Sequence, residues 1–498
     1  MKKIFYKIKF DQLLKISCYL IFILLSFYLV NKTFQNDTFY TIKIGDLIRK
    51  QGIDFLDHFC MIKNLKYTYP HFLYDVLISF LYSKFNFLGI YISTIIFTFF
   101  ISISLFKTNQ KVSNKYIGFI ITLIELFLLR GYLTARAQVV TFSLFILTYY
   151  FIVKYLEKPK KIYAIILIII PILIANTHVA VFPFYFVLYL PFLAEYLIAI
   201  FLKKRNKKLE YFKLIVDNNQ NVKKLFIIFI ISLFTGFLTP LKLIPYTYLI
   251  NTFRGNSMSM ISEHLPLVLY KDKEYLIYLG FMILILIFSK TKLVLRDFFF
   301  FIGMTLLSIM QNRQVSMAII FNGFLMCKLI YMIFKDNNLS KHKIFKFFNY
   351  IYLIIVYIGC LLLIIFLPKQ LNIIKSKSYV DSSWYPVRLV NYIKENIDYK
   401  NTKFYNEYDY GSYLLFNDIP VFVDSRADLY TKEFNNFSGS DILTDSNKAF
   451  NCLDNIIDKY KFDYLILLKD SQLDVLVRKG YQFEKEYEDI YFVLWKVR

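Results

Sequence analysis

Apolar runs of membrane-crossing length recur along most of this chain. They cover roughly 12–31, 86–106, 116–134, 139–156, 162–177, 179–202, 225–239, 274–289, 296–311, 315–334 and 349–367, each near the ~20 residues that cross a bilayer as a helix. This pattern predicts about eleven transmembrane helices. Two interruptions matter. The loop at 32–85 follows the first span, and within it Tyr40, Ile44, Leu47 and Ile48 fall on one face at helical spacing, opposite Thr41, Lys43, Asp46 and Lys50, with Gly52 as a stop. That predicts an amphipathic helix at the membrane interface. A second apolar segment, 71–85, is short for a span and is expected at the outer surface. From 368 to 498 the pattern becomes that of an α/β domain. Helix 386–397, a strand near 403–406, a short helix near 411–417, a strand at 420–424, helix 447–461, strand 464–468, helix 471–480 and a closing hairpin are expected in order.

Lysines set the orientation. Lys2, Lys3, Lys7 and Lys9 precede the first span with no small-residue cleavage site after it, which reads as a retained anchor with a cytoplasmic start. Alternate loops then carry Lys107, Lys111 and Lys115; Lys158, Lys160 and Lys161; Lys203, Lys204, Arg205, Lys207 and Lys208; Lys290 and Lys292; and Lys341, Lys343 and Lys346. All are cytoplasmic if eleven spans are counted from an inside start, and the odd count puts the tail outside. The expected location is the plasma membrane, crossed many times, with membrane lipids as neighbours.

The composition agrees, with 57% hydrophobic residues. A formal charge of +24 could suggest nucleic acid. Its dispersal over short inter-helix loops, with no reading module, excludes that partner. Of the cysteines, only Cys60 and Cys452 lie outside the spans, and nothing in their spacing calls for a bridge.

Candidate chemistry gathers on the exterior face. Asp37, just beyond the first span, can cap the interfacial helix, or take a proton from an acceptor hydroxyl, or both. Asp54 and Asp57 follow the helix; with Asp37 they could form a divalent-cation site or serve a second proton transfer, with Asp57 a substrate-binding candidate, or be solvated loop acids. No cofactor is otherwise indicated. Arg130, Arg136, Arg254 and Arg313 sit where exterior loops meet spans, suited to a phosphate group or to snorkelling at the interface. His178, in a tight turn, and Glu263-His264, in the long loop 240–273, are further substrate-binding candidates. Glu125 and Glu195 lie within spans as functional acids or packing anchors. In the tail, Asp424 and Arg426 could contact a ligand or form an internal ion pair. Phosphate-cradling glycine loops, nucleophile elbows and zinc spacings are absent from the sequence.

Taken in order, these motifs resemble a group of bacterial integral-membrane glycosyltransferases of the GT-C superfamily. That superfamily includes the dolichyl-phosphate-mannose protein mannosyltransferases and lipopolysaccharide-modifying sugar transferases. The resemblance rests on Asp37-Thr38-Phe39-Tyr40, Asp57-His58-Phe59, Arg136-Ala137-Gln138, Asn176-Thr177-His178, Thr239-Pro240 and Glu263-His264. It extends to Tyr410-Gly411-Ser412-Tyr413-Leu414 and Asp424-Ser425-Arg426-Ala427-Asp428 in the tail. It departs at Thr38, where many relatives have a second acid, and at Ser425, where glycine is usual. The resemblance implies a GT-C-like membrane domain, 1–367, with a soluble extracytoplasmic domain, 368–498. It also implies an inverting transfer of a sugar from a polyprenyl-phosphate donor to a glycan, lipid or protein acceptor of the cell envelope, with Asp37 as general base. A polymerase or ligase using pyrophosphate-linked glycans, and a non-catalytic lipid-sugar flippase or assembly subunit, are the alternatives.

Overall fold

The computed structural model describes residues 2–205, 210–211, 213–255, 260–289, 291–336, 344–375 and 379–498. Lys207, Lys208, Lys290, Lys341 and Lys343 lie outside the described residues. The helices run α1 (Lys2–Leu29), α2 (Asn36–Gln51), α3 (Phe72–Val112), α4 (Lys115–Leu128), α5 (Gln138–Glu157), α6 (Lys161–Thr177), α7 (Phe182–Val187), α8 (Leu190–Lys204), α9 (Asn221–Leu233), α10 (Ile244–Arg254), α11 (Lys273–Phe288), α12 (Leu295–Met310), α13 (Val315–Asp336) and α14 (Ile344–Lys375). Every apolar run marked out by the sequence is helical. Five described stretches are long and apolar enough to cross a membrane: Phe72–Val112, Gln138–Glu157, Val179–Lys204, Asn312–Lys335 and Tyr350–Pro368. Ile16–Leu29 and Lys161–Thr177 are shorter apolar helices.

The two acids placed within spans by the sequence, Glu125 and Glu195, each have a partner. Glu125 Oε2 accepts from the Asn109 amide at 2.6 Å and its side chain packs against Gly323, where a Cβ would lie 1.7 Å from Oε1. Glu195 pairs with Arg296 at 2.8 Å, and the same guanidinium reaches Asp217. Both acids thus serve helix packing.

The interfacial position expected for α2 is replaced by a buried one. Its N-terminus has no side-chain cap; Asp37 lies in the first turn, where a carboxylate suits the helix dipole, and Gly52 ends the helix at φ +81°. Phe39, Tyr40, Thr41, Ile42, Ile44, Gly45 and Ile48 are all buried, so both faces of the helix are covered. One neighbour is α3, approached so closely at Gly45 that a Cβ there would stand 1.9 Å from the Asp75 carbonyl oxygen. The segment 71–85 forms, over 72–85, a short helical piece at the start of α3. A break at Asn86 (φ 52°, ψ −152°) divides it from the membrane-length remainder.

The other neighbour of α2 belongs to the tail. There α15 (Val387–Asn396), α16 (Tyr408–Phe416), α17 (Ile442–Lys448), α18 (Leu453–Tyr460) and α19 (Gln472–Arg478) accompany a four-stranded sheet. Its strands are β4 (Phe404–Tyr405), β5 (Tyr464–Leu468), β6 (Phe483–Glu488) and β7 (Phe492–Val497), in the order β4-β5-β7-β6, with β4 and β5 parallel and the other pairs antiparallel. Three short strands elsewhere, β1 (Glu210–Tyr211), β2 (Leu214–Ile215) and β3 (Leu293–Val294), form a separate sheet. The strand expected at 420–424 is only a single bridge, Val421 with Cys60 of the first loop. The helix expected at 447–461 is split into α17 and α18.

Phe39 shows why the first loop and the tail fold together. Its ring packs edge-on to Tyr385 and Tyr413 at centroid distances of 4.9 and 5.1 Å. Apolar residues from 30–95 and 379–497 form one continuous core, distinct from the core of the membrane helices. The tail therefore does not close a core of its own. Cys60 is buried and Cys452 exposed, and both are free thiols.

Candidate active site

A cavity of about 350 Å³ lies where the first loop, the turns at one end of the apolar helices and the tail meet. Of the residues singled out from sequence, Asp37, Arg136, His178, Glu263, His264, Arg313 and Arg426 line it. Asp54, Asp57, Arg130, Arg254 and Asp424 do not.

Asp37 projects from the first turn of α2, and its Oδ2 lies 2.7 Å from Arg136 Nη2. Arg136 comes from the turn before α5. Its other terminal nitrogen is 2.6 Å from Glu263 Oε1, so one guanidinium holds both acids. Burial alone would raise the Glu263 carboxyl, but Arg136 and Arg313 outweigh it and hold it down to about 2. The Asp37 and Glu263 charges likewise keep Arg136 protonated against the desolvation it suffers.

His178 follows the last residue of α6. Its Nδ1 is 2.8 Å from the Thr141 hydroxyl, which donates to the Ala137 carbonyl at 3.3 Å. Nε2 faces Arg313 Nη2 at 3.5 Å, and a guanidinium can only donate. The neutral tautomer with the proton on Nδ1 satisfies both contacts. Burial, with His71 and Arg313 nearby, pushes His178 well below the ordinary imidazole value. His71 packs against it at 4.9 Å between ring centroids and meets the Tyr40 hydroxyl at 3.2 Å through Nδ1. Burial, Arg313 and Arg136 bring His71 down to about 3, and burial with Arg313 brings His264 to about 4. The site's imidazoles are neutral at pH 7.

Arg313 stands where three cavities meet. It lines the polar cavity; a smaller one of about 50 Å³ between membrane helices, walled by Phe142, Phe145, Leu188, Met304 and Leu307; and a third of about 110 Å³ beyond the Arg136–Glu263 pair. Among the described residues it makes no ion pair, which leaves its charge for a ligand.

The remaining candidates have other duties. Arg426 donates to Asp57 and, bidentately, to Asp424, at 2.9 Å from Nε to Oδ1 and 2.7 Å from Nη2 to Oδ2. Tyr430 adds a hydrogen bond to Asp424 at 2.7 Å. Asp57 also accepts from the Phe59 and Cys60 amides. This buried network fastens the first loop to the tail. Asp54 is engaged by His58 and Tyr69. The three carboxylates weighed for a metal site, Asp37, Asp54 and Asp57, are thus divided among separate partners. Among the described residues no group of three His, Cys, Asp or Glu side chains is placed to hold a metal ion. Arg130 pairs with Glu274 at 2.7 Å, and Arg254 is exposed at the end of α10.

Three further cavity residues were given no role of their own from sequence: His71, Asp409 and Asp428, the last quoted only within the tail motif. Tyr248 donates its hydroxyl to Asp428, tying α10 to the tail, and burial raises the Asp428 carboxyl. Asp409 is also raised by burial. His71 could be read only as the first residue of an apolar run, because nothing local signals the fold that turns it inward.

No family model and no curated protein matches the chain. Solved structures do. The chain is similar to the archaeal oligosaccharyltransferase AglB from Archaeoglobus fulgidus in complex with an inhibitory peptide and a dolichol-phosphate, with a TM-score of 0.59 and 13% identity over 92% of this chain and 69% of that one. It is also similar to the Archaeoglobus fulgidus oligosaccharyltransferase tethered by a disulfide bond to an acceptor peptide containing the NVT sequon, with a TM-score of 0.53 and 12% identity over 91% and 69%. At such identities the likeness is one of fold. The chain shares the overall fold of these oligosaccharyltransferases.

Proposed function

We propose that this chain is a multi-pass membrane glycosyltransferase that moves a sugar from a polyprenyl-phosphate donor to an extracytoplasmic acceptor with inversion. The observation that carries this reading is the position of Arg313. An unpaired guanidinium at the junction of a polar cavity with an apolar cleft between α5, α7, α12 and α13 fits a phosphate whose hydrocarbon tail remains among the membrane helices. The dolichol-phosphate and peptides bound by the oligosaccharyltransferase of the same fold support a lipid-phosphate donor and a polar acceptor.

In this reading the phosphate lies against Arg313, with the neutral His178 beside it. Asp37, held in place by Arg136, takes the proton of the acceptor hydroxyl as it attacks the anomeric carbon. Arg313 then stabilises the departing phosphate. His71 and His264, both uncharged, add no competing positive charge. Glu263 fixes Arg136 from the opposite side. The remaining apolar segments complete the eleven spans expected from the sequence, with the tail outside, where it covers the cavity through Tyr408, Asp409 and Asp428.

Binding of polyprenyl phosphate to the protein in nanodiscs tests the placement of the donor. Arg313→Ala should weaken it roughly 10–100-fold, as expected for one charge-assisted contact. Unchanged affinity would remove Arg313 from the donor site.

A further inference from the structure

Arg136 joins two carboxylates that come from distant parts of the chain and face each other across the cavity wall. Nη2 lies 2.7 Å from Asp37 Oδ2, and Nη1 lies 2.6 Å from Glu263 Oε1. The planar fork of a guanidinium allows this double engagement, which the single ammonium of a lysine would make less well. Both acids are thus already engaged by Arg136, and a second guanidinium, Arg313, stands close to Glu263. A divalent ion placed between the acids would have to displace two charge-assisted hydrogen bonds. It would also stand beside two guanidinium ions in a partly desolvated cavity. It would lack further ligands as well, since Asp54 and Asp57 are held by Tyr69, His58 and Arg426.

We propose that Arg136 is the resident cation of this cavity, occupying the place between Asp37 and Glu263 that a divalent metal would need and holding both carboxylates in position. A guanidinium does not deprotonate in the working range, cannot be chelated and does not exchange. The positive charge of the site is thus supplied by the chain itself, whatever the metal content of the medium. This inference rests on the ion-pair geometry and is independent of the transferase reading.

Removing Arg136 changes the balance. Asp37 and Glu263 would then be two uncompensated carboxylates beside one guanidinium, a pair suited to a hard cation with oxygen ligands. The test is an electron paramagnetic resonance titration with Mn2+ of the full chain in nanodiscs of zwitterionic lipid, where bound ion is read as loss of the free-ion signal. Wild type should take up no more Mn2+ than Asp37→Asn. Arg136→Ala should take up about one equivalent per chain, lost again when Asp37→Asn is added. Arg136→Gln, which keeps much of the bulk and hydrogen bonding without the charge, serves if the alanine variant does not fold. Uptake by wild type that Asp37→Asn or Glu263→Gln removes would overturn the proposal. So would a folded Arg136 variant that takes up none.

Discussion

Asp57 of the first loop and Arg426 of the tail form an ion pair in which both side chains are almost wholly buried, at 1% and 2% exposure. The pair joins residues 369 positions apart, and Asp424, on the far side of the same guanidinium, completes a triad. Taking one charge from a buried pair leaves its partner desolvated and unmatched. Arg426→Ala should therefore destabilise the joint of the first loop with the tail by roughly 3–5 kcal/mol. Limited proteolysis and thermal unfolding would show this as early release of the tail. An unchanged melting profile would mean that the pair contributes nothing to the joint.

Gly411 allows α16 to approach the chain at Val423. A Cβ there would lie 2.0 Å from the Val423 carbonyl oxygen and 2.8 Å from the Asn406 amide, in a region where neither backbone can yield without moving α16. Gly411→Ala should cost about 1–3 kcal/mol or more. It should also loosen the contact in which Asn36 donates to the Tyr408 carbonyl at 2.8 Å. Differential scanning fluorimetry, with hydrogen exchange over 404–416, checks both effects.

The pH dependence follows from the neutral histidines. His71 and His264 are depressed to about 3 and about 4 in the folded protein. Their unfolded value is near 6.5. Above that value neither state is protonated and the full stability is present. As pH falls, the unfolded chain takes up protons that the folded chain refuses, so stability declines until the folded values are reached. Between pH 6.5 and pH 5 the loss should be on the order of 1–2 kcal/mol per histidine. Replacing His71 with Gln should flatten the melting temperature against pH over that interval, and an unaltered slope would show that His71 titrates normally.

The ion pairs of Glu263 behave differently. Its carboxyl is held at about 2, so the contact with Arg136 persists at pH 5, and its contribution to stability is lost only as pH falls from about 4.5 towards 2. Glu263→Gln should leave stability between pH 6 and pH 8 changed by less than about 1 kcal/mol, because its side chain is 43% exposed. Its effect should instead appear as a less ordered Arg136.

Much of this arrangement was legible in the sequence because membrane proteins separate their solvents sharply. Spans of apolar residues located the helices, and counting the loops between them placed Asp37, Arg136, His178, Glu263 and Arg313 together, where they line one cavity. What the sequence concealed depends on packing across long separations. The pattern of α2 reads as a helix lying on a membrane, yet the polar Thr41 is buried beside α3, because the tail covers what lipid headgroups would otherwise meet. Asp57 looked like an exposed loop acid, and only Arg426, far away in sequence, explains its burial, whereas the internal ion pair of Asp424 with Arg426, two residues on, was one of the two readings open from the sequence. His71 carried no signal at all, since its neighbours His178 and Tyr40 come from separate elements.

The most direct test is the release of polyprenyl phosphate from a panel of polyprenyl-phosphate sugars by the purified protein in nanodiscs, supplied with envelope acceptor. Wild type and Asp37→Asn are compared at equal folding. Release by wild type, reduced about 100-fold or more in Asp37→Asn, is the predicted result. Equal release by both proteins, or none by a folded wild type from any donor, would contradict the account.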